Sequence, residues 1–215
     1  MLTLDDLTEV ERIVAIDAET TGFPIPTAAQ IKKMPKGLRL AGIIIEIGCV
    51  ELVREGDGWV TGESWHRQIQ PNGPIAKASM AVHGISLAQL KDAPQFRDVL
   101  DDFEAFIGQD VLLAHSAVNE IAFLNFEYAR VGRCAFDEEI FSASDFVCTQ
   151  QMSRQFFPGA PGSLDVLCDR LWIDRSDRFR HHGALLDAVL TAEAFLKMQG
   201  GFVQDDTRSI SFGEK

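Results

Sequence analysis

GIIIEIGCVELVREGDGWVTGESWHRQIQ, residues 42–70, decides the fold class. Gly42 to Val53 is rich in Ile and Val, the composition of a strand. Glu55, Gly56, Asp57 and Gly58 form a turn signal, because Asp-Gly suits a tight hairpin. Trp59 to Gln70 then alternates roughly and reads as the next strand. Upstream, Arg12 to Asp17 (RIVAID) is a short apolar run ending at acidic and Gly-containing residues, like a central strand meeting a turn. Three strands in succession predict an antiparallel meander.

Downstream the pattern alternates. Ala93 to Ile107 has helical spacing at Phe96, Leu100, Phe103 and Ile107. Val111 to His115 reads as a short buried strand, and Asn119 to Val131 as an amphipathic helix. Asp145 to Phe157 and Ser163 to Leu171 look helical, the second opened by Ser163 as N-cap. Gly183 to Met198 is the last predicted helix, ended by Gly200 and Gly201. Leading strands followed by strand–helix alternation predict an α/β fold, a mixed five-stranded sheet flanked by helices. One domain over residues 1–201 and a polar, loose tail over 202–215 are expected.

A chain of 215 residues carries one full core, and its 46% apolar and 24% charged content is that of a globular protein. No apolar run reaches the length of a membrane span. The start, MLTLDDLTEVE, is acidic and lacks the build of a signal peptide, so a cytoplasmic location is expected. Cys49, Cys134, Cys148 and Cys168 are scattered with no CxxC pair, which predicts buried thiols and no structural zinc. The net charge of −12 counts against a protein that coats duplex DNA. It is compatible with an enzyme that grips a few nucleotides, because cations at an acidic site neutralise phosphate locally.

Asp17 and Glu19 end the first strand at i and i+2. That spacing puts both carboxylates on one face, with Cα atoms roughly 6.5–7 Å apart. Such a pair repels unless a cation lies between, and a hard divalent ion suits oxygen ligands. A solvated acidic strand end would look the same. The context narrows the choice: DAETTG (17–22), HSAVNE (115–120) and HGALLD (182–187) each sit at a strand end or a helix start. Three acidic stations so placed can converge on one cleft, the layout of two-metal phosphodiester cleavage.

These motifs resemble DxETTG, HNAxFDxxFL and HxAxxD of the DEDDh 3′–5′ exonucleases, whose fold is RNase H-like. FPG (157–159), GSLDVLC (162–168), MQGG (198–201), IIEIG (44–48) and VHGI (82–85) are similar to the epsilon, or proofreading, subunits of bacterial DNA polymerase III. The resemblance runs from about Arg12 to Gly201. It implies hydrolysis of single-stranded DNA from the 3′ end with two divalent cations, Mg²⁺ or Mn²⁺. Asp17, Glu19 and Asp187 would hold the ion that activates water, and Asp17 would bridge to a second ion. His182, rather than His181, would be the general base, since the imidazole pKa lies near neutrality.

The second motif departs from the family: Glu120 replaces its Asp, Asn119 its Phe and Ser116 its Asn. Glu keeps the charge and adds a methylene, about 1.5 Å. Glu120 is expected to contact a metal directly or through water. Cys148, where relatives often carry Asp, is expected to face the core.

For the substrate, the resemblance implies that Thr20, Thr21 and Gly22 offer backbone N–H groups and that His83 lines the terminal-nucleotide pocket. Lys32, Lys33, Lys36 and Arg39 lie in a stretch, Thr20 to Ile45, without an acidic residue, a basic island suited to a phosphate backbone. Arg178 and Arg180 suit the same task. The same fold acting on RNA ends, and a catalytically impaired nucleic-acid-binding protein, stay open as alternatives. A polymerase subunit or a sliding clamp is an implied partner, with Ser209 to Phe212 a weak docking signal in the tail. The long extension that would bind a polymerase subunit is not found, so a stand-alone exonuclease is equally expected.

Overall fold

The computed structural model describes residues 1–22, 42–179 and 182–200. The basic island, Arg180, His181 and the tail lie outside them.

The meander forms as read. β1 (Arg12–Thr20), β2 (Ile44–Glu55) and β3 (Gly58–Gln68) pair antiparallel in succession. The β2–β3 turn is the two residues Gly56 and Asp57, with Gly56 at φ +61°, a conformation that favours glycine. Then follow α1 (Lys77–His83), α2 (Phe96–Ile107), β4 (Val111–Ala114), α3 (Ala117–Arg130), β5 (Phe146–Cys148), α4 (Thr149–Phe156), α5 (Leu164–Arg170) and α6 (Ala184–Met198). The five-stranded sheet runs β3-β2-β1-β4-β5, with β4 parallel to β1 and β5 parallel to β4. Among the described residues no helix is long and apolar enough to cross a membrane.

One segment departs from its reading. Asp145 to Phe157 was expected to be helical throughout, yet Phe146–Cys148 is the fifth strand and the helix starts at Thr149. Pairing with β4 and full burial override local helical spacing there. α1 was not anticipated. Its stop signal is Gly84, left-handed at φ +72°, whose N–H donates to the Met80 carbonyl at 2.9 Å. Cys49, Cys148 and Cys168 are buried as expected, while Cys134 is half-buried.

Strand alternation sorts β1 into two layers. Val14 and Ile16 join Phe96, Phe103, Phe123 and Leu124 on one face. Ile13 and Ala15 join Ala188, Leu190, Ala192 and Phe195 of α6 on the other. α6 buries Ala184, Ala188, Ala192 and Ala194, small side chains that let it lie close on the sheet. The closest approach is at Gly48, where a Cβ would lie 2.1 Å from the backbone nitrogen of Leu185. Gly48→Ala is therefore expected to lower stability by about 3 kcal/mol, the upper range for overpacking, because backbone rather than a side chain must move. Thermal unfolding checks this; a loss under about 0.5 kcal/mol would contradict the contact.

Candidate active site

Asp17 and Glu19 continue the alternation of Ile13 and Ala15 toward the α6 layer. They lie at the C-terminal end of β1, opposite Gly48 and Glu46 of β2. Asp187 comes from the first turn of α6 and Glu120 from the first turn of α3, which starts just beyond β4. His182 precedes the Gly183 N-cap of α6. All five line one cavity of about 500 Å³ with Thr20, His83, His115 and Arg178. One ligand atom each of Glu19, His182 and Asp187 lies within 4.8 Å of the others. Asp17 and Glu120 face the same cavity but stand outside that trio.

The carboxylates crowd one another. Desolvation, then the charges of Glu120, Asp187 and Glu19, holds Asp17 well above the usual carboxylate range, with Arg178 opposing. Burial and the charge of Asp187 push Glu19 up to about 7. Burial and the charge of Glu19 push Glu120 up to about 8. Glu120 Oε2 is buried with no hydrogen-bond partner among the described residues. Uncompensated buried carboxylates are costly, and a group of them marks a place shaped for a cation. The donor set, all carboxylate oxygens and one imidazole, fits a divalent ion.

Arg178, on the 3-10 turn Ser176–Phe179, supplies the positive charge among the described residues lining the cavity. Its Nε donates to Asp187 Oδ1 at 2.6 Å and its Nη2 to Asp187 Oδ2 at 2.8 Å. Its Nη1 donates to Asp165 in the first turn of α5. The Arg178 side chain is 10% exposed and that of Asp187 6%. His182 Nδ1 lies 3.9 Å from Asp187 Oδ2. Burial and the charge of Arg178 lower the His182 pKa below 6.5, against the pull of Asp187 and Asp165. The imidazole is thus neutral at neutral pH, the form a proton acceptor needs.

The start of α6 is fixed from β2. Glu46 Oε2 accepts from the Ala184 N–H at 2.9 Å, while Oε1 bonds His66 Nε2 at 3.0 Å. Burial raises the Glu46 carboxyl, but these bonds outweigh it and hold its pKa low. Sequence reasoning missed Glu46, although its place in IIEIG, two residues before the Gly48 contact, was a signal. It also missed Asp165 and the contact of Arg178 with Asp187, which depend on loop closure.

The other expected residues divide. Thr20 lines the cavity. The Thr21 N–H donates to the Ile43 carbonyl at 2.9 Å and is no free donor for a nucleotide. Gly22, at φ +153°, packs beside Ala76 of the segment leading into α1. His83 is buried, with Nδ1 accepting from the Ile85 N–H at 3.0 Å. Its Nε2 therefore carries the ring proton and turns it toward the Thr20 backbone. Asn119 Nδ2 donates to Ser116 Oγ at 3.1 Å, so two departures in the second motif pair with each other. Cys148 is buried, as expected, with its thiol on the His115 carbonyl at 3.5 Å. His115 Nε2 and Nδ1 lie 3.0 Å from the Gly162 carbonyl and Thr149 Oγ1, so it ties the start of α4 to the loop before α5.

Known proteins match this arrangement. The family model described as Exonuclease matches residues 14–195. The DNA polymerase III subunit epsilon of Haemophilus influenzae is 37% identical over 205 residues, covering 94% of this chain and 73% of that one. Among solved structures, the nuclease domain of 3′hExo, a DEDDh family member bound to rAMP, superposes with TM-score 0.64 at 20% identity, covering 90% of this chain and 94% of that one. Exonuclease X in complex with 5′ overhanging duplex DNA gives TM-score 0.59 at 23% identity, covering 88% and 90%. These two likenesses establish the fold.

Proposed function

Since the chain belongs to the exonuclease family, and to its DEDDh 3′–5′ class, we propose that it releases nucleoside monophosphates from the 3′ ends of single-stranded DNA with two divalent cations, Mg²⁺ or Mn²⁺. The observation that carries this is the convergence of Asp17, Glu19, Glu120 and Asp187, from three elements of the fold, on one cavity beside His182. Members of the class use divalent metal ions. Glu19 and Asp187 would hold one ion with Asp17, and Glu120 would serve the second with Asp17. Bound there, the ions would supply an activated water and neutralise charge on the leaving oxygen.

The chain's own groups do the rest. His182, neutral at working pH, accepts the water proton. His83, lining the cavity beside Thr20, would bound the pocket of the terminal nucleotide. The basic island Lys32, Lys33, Lys36 and Arg39 leads the strand in, and its place lies outside the described residues. A polymerase subunit or sliding clamp is the proposed partner, by likeness to the epsilon subunit. The test is degradation of a 5′-labelled single-stranded DNA oligonucleotide with Mg²⁺ and then Mn²⁺, beside a matched RNA and an Asp17→Ala control. A ladder shortening from the 3′ end, absent in the control, supports the reading. Faster loss of the RNA would replace DNA by RNA in it, and no cleavage of either would refute it.

Glu120→Gln separates function from folding. Activity is expected to fall about 100-fold, the scale of damaged metal sites. Stability in EDTA is expected to rise by roughly 2 kcal/mol at pH 7, because the neutral amide needs no proton uptake on folding. A pKa raised from 4.5 to about 8 on folding costs nothing below 4.5, progressively more up to about 8, and no more beyond. The advantage of the variant should grow over that window. Paired unfolding and activity curves check it, and equal stability with full activity would contradict the assigned role.

A further inference from the structure

All three guanidinium nitrogens of Arg178 engage the site. Two N–H groups engage both oxygens of Asp187, and a third holds Asp165. Asp187 also belongs, with Glu19 and His182, to the trio whose ligand atoms lie within 4.8 Å. Among the described residues lining the cavity, Arg178 is the sole Lys or Arg, against the carboxylates Asp17, Glu19, Glu120 and Asp187. A guanidinium forked on a carboxylate takes a lone pair of each oxygen that a cation would share, and its charge repels that cation. With Arg178 10% exposed and Asp187 6%, water screens the contest weakly.

We propose that Arg178 is an exchangeable counter-ion: it holds Asp187 while the site is metal-free, yields that carboxylate to a divalent cation, and stays at the cleft on Asp165. This rests on the reading of the site as a metal centre. Asp165 is suited to the retaining role, because its side chain is 39% exposed and lies outside the carboxylate cluster. It is itself steadied by Arg175, whose Nη1 lies 3.5 Å away. The freed N–H groups of Arg178 then face the cavity as donors for a phosphate. A purely structural ion pair would behave in the opposite way: by aiming Asp187, it would strengthen metal binding.

The test is calorimetric titration with Mn²⁺ of the unaltered chain, Arg178→Gln and Asp165→Asn, with melting curves in EDTA and in saturating Mn²⁺. Arg178→Gln is expected to bind Mn²⁺ at least tenfold more tightly. It is expected to melt lower than the unaltered chain in EDTA, with the gap closing in Mn²⁺. Asp165→Asn, which leaves the arginine wholly to Asp187, is expected to bind Mn²⁺ several-fold more weakly. Equal or weaker binding by Arg178→Gln would overturn the exchange while leaving the metal centre standing. If Arg178→Gln fails to fold, unchanged or tighter binding by Asp165→Asn overturns it. Absence of Mn²⁺ binding in all three proteins would overturn both readings.

Discussion

Asp17→Asn is expected to reduce kcat/KM on a single-stranded oligonucleotide by at least about 1,000-fold, close to 4 kcal/mol of transition-state stabilisation. Asp17 sits where the two proposed ion positions meet, with Glu120, Asp187 and Glu19 as its electrostatic neighbours. Asn is nearly the same size, so β1 and its pairing with Gly48 remain. The substitution removes the charge that neighbouring carboxylates oppose, so unfolding in EDTA should show no loss of stability. Activity within tenfold of the unaltered chain would remove Asp17 from the catalytic set. Equal activity combined with unaltered Mn²⁺ affinity would remove the metal reading with it.

His182→Ala is expected to lower kcat by about 100- to 10,000-fold, the range for a positioned general base. The pH profile distinguishes this from damage to packing. Desolvation and Arg178 depress the His182 pKa, so the neutral, accepting form persists below pH 6.5. The unaltered chain should therefore keep its rate down to an acid limb below that pH. The variant should lack the limb and instead rise with hydroxide concentration. An unchanged profile at reduced rate would assign His182 a ligand's or a packing role, which its place in the trio with Glu19 and Asp187 also permits.

The parts of this molecule legible in its sequence are those where local chemistry decides. The hairpin at Gly56 and Asp57 needed a turn that tolerates positive φ, and the residues say so. Asp17 and Glu19 needed only strand alternation, and Asp187 and His182 only the six-residue helix start HGALLD. β5 was illegible because three residues carry no period, and its strand identity comes wholly from lying beside β4. α1 was illegible because Met80 and Val82 stay exposed, leaving little amphipathic signal. The Arg178 contacts span 9 residues to Asp187 and 13 to Asp165, separations that no local pattern fixes. The spent N–H of Thr21 was hidden for the same reason, since its acceptor Ile43 lies across a long connection.

The clasp between Glu46 and the Ala184 N–H joins positions 138 residues apart. Asp17, Glu19 and Glu46 leave the ribosome long before Asp187 and the helix that carries it. Domains complete their packing only once the needed segments have emerged. Until Asp187 emerges the nascent chain carries an incomplete acidic centre, with no helix seated over Gly48. The acidic centre is therefore complete only once that helix docks.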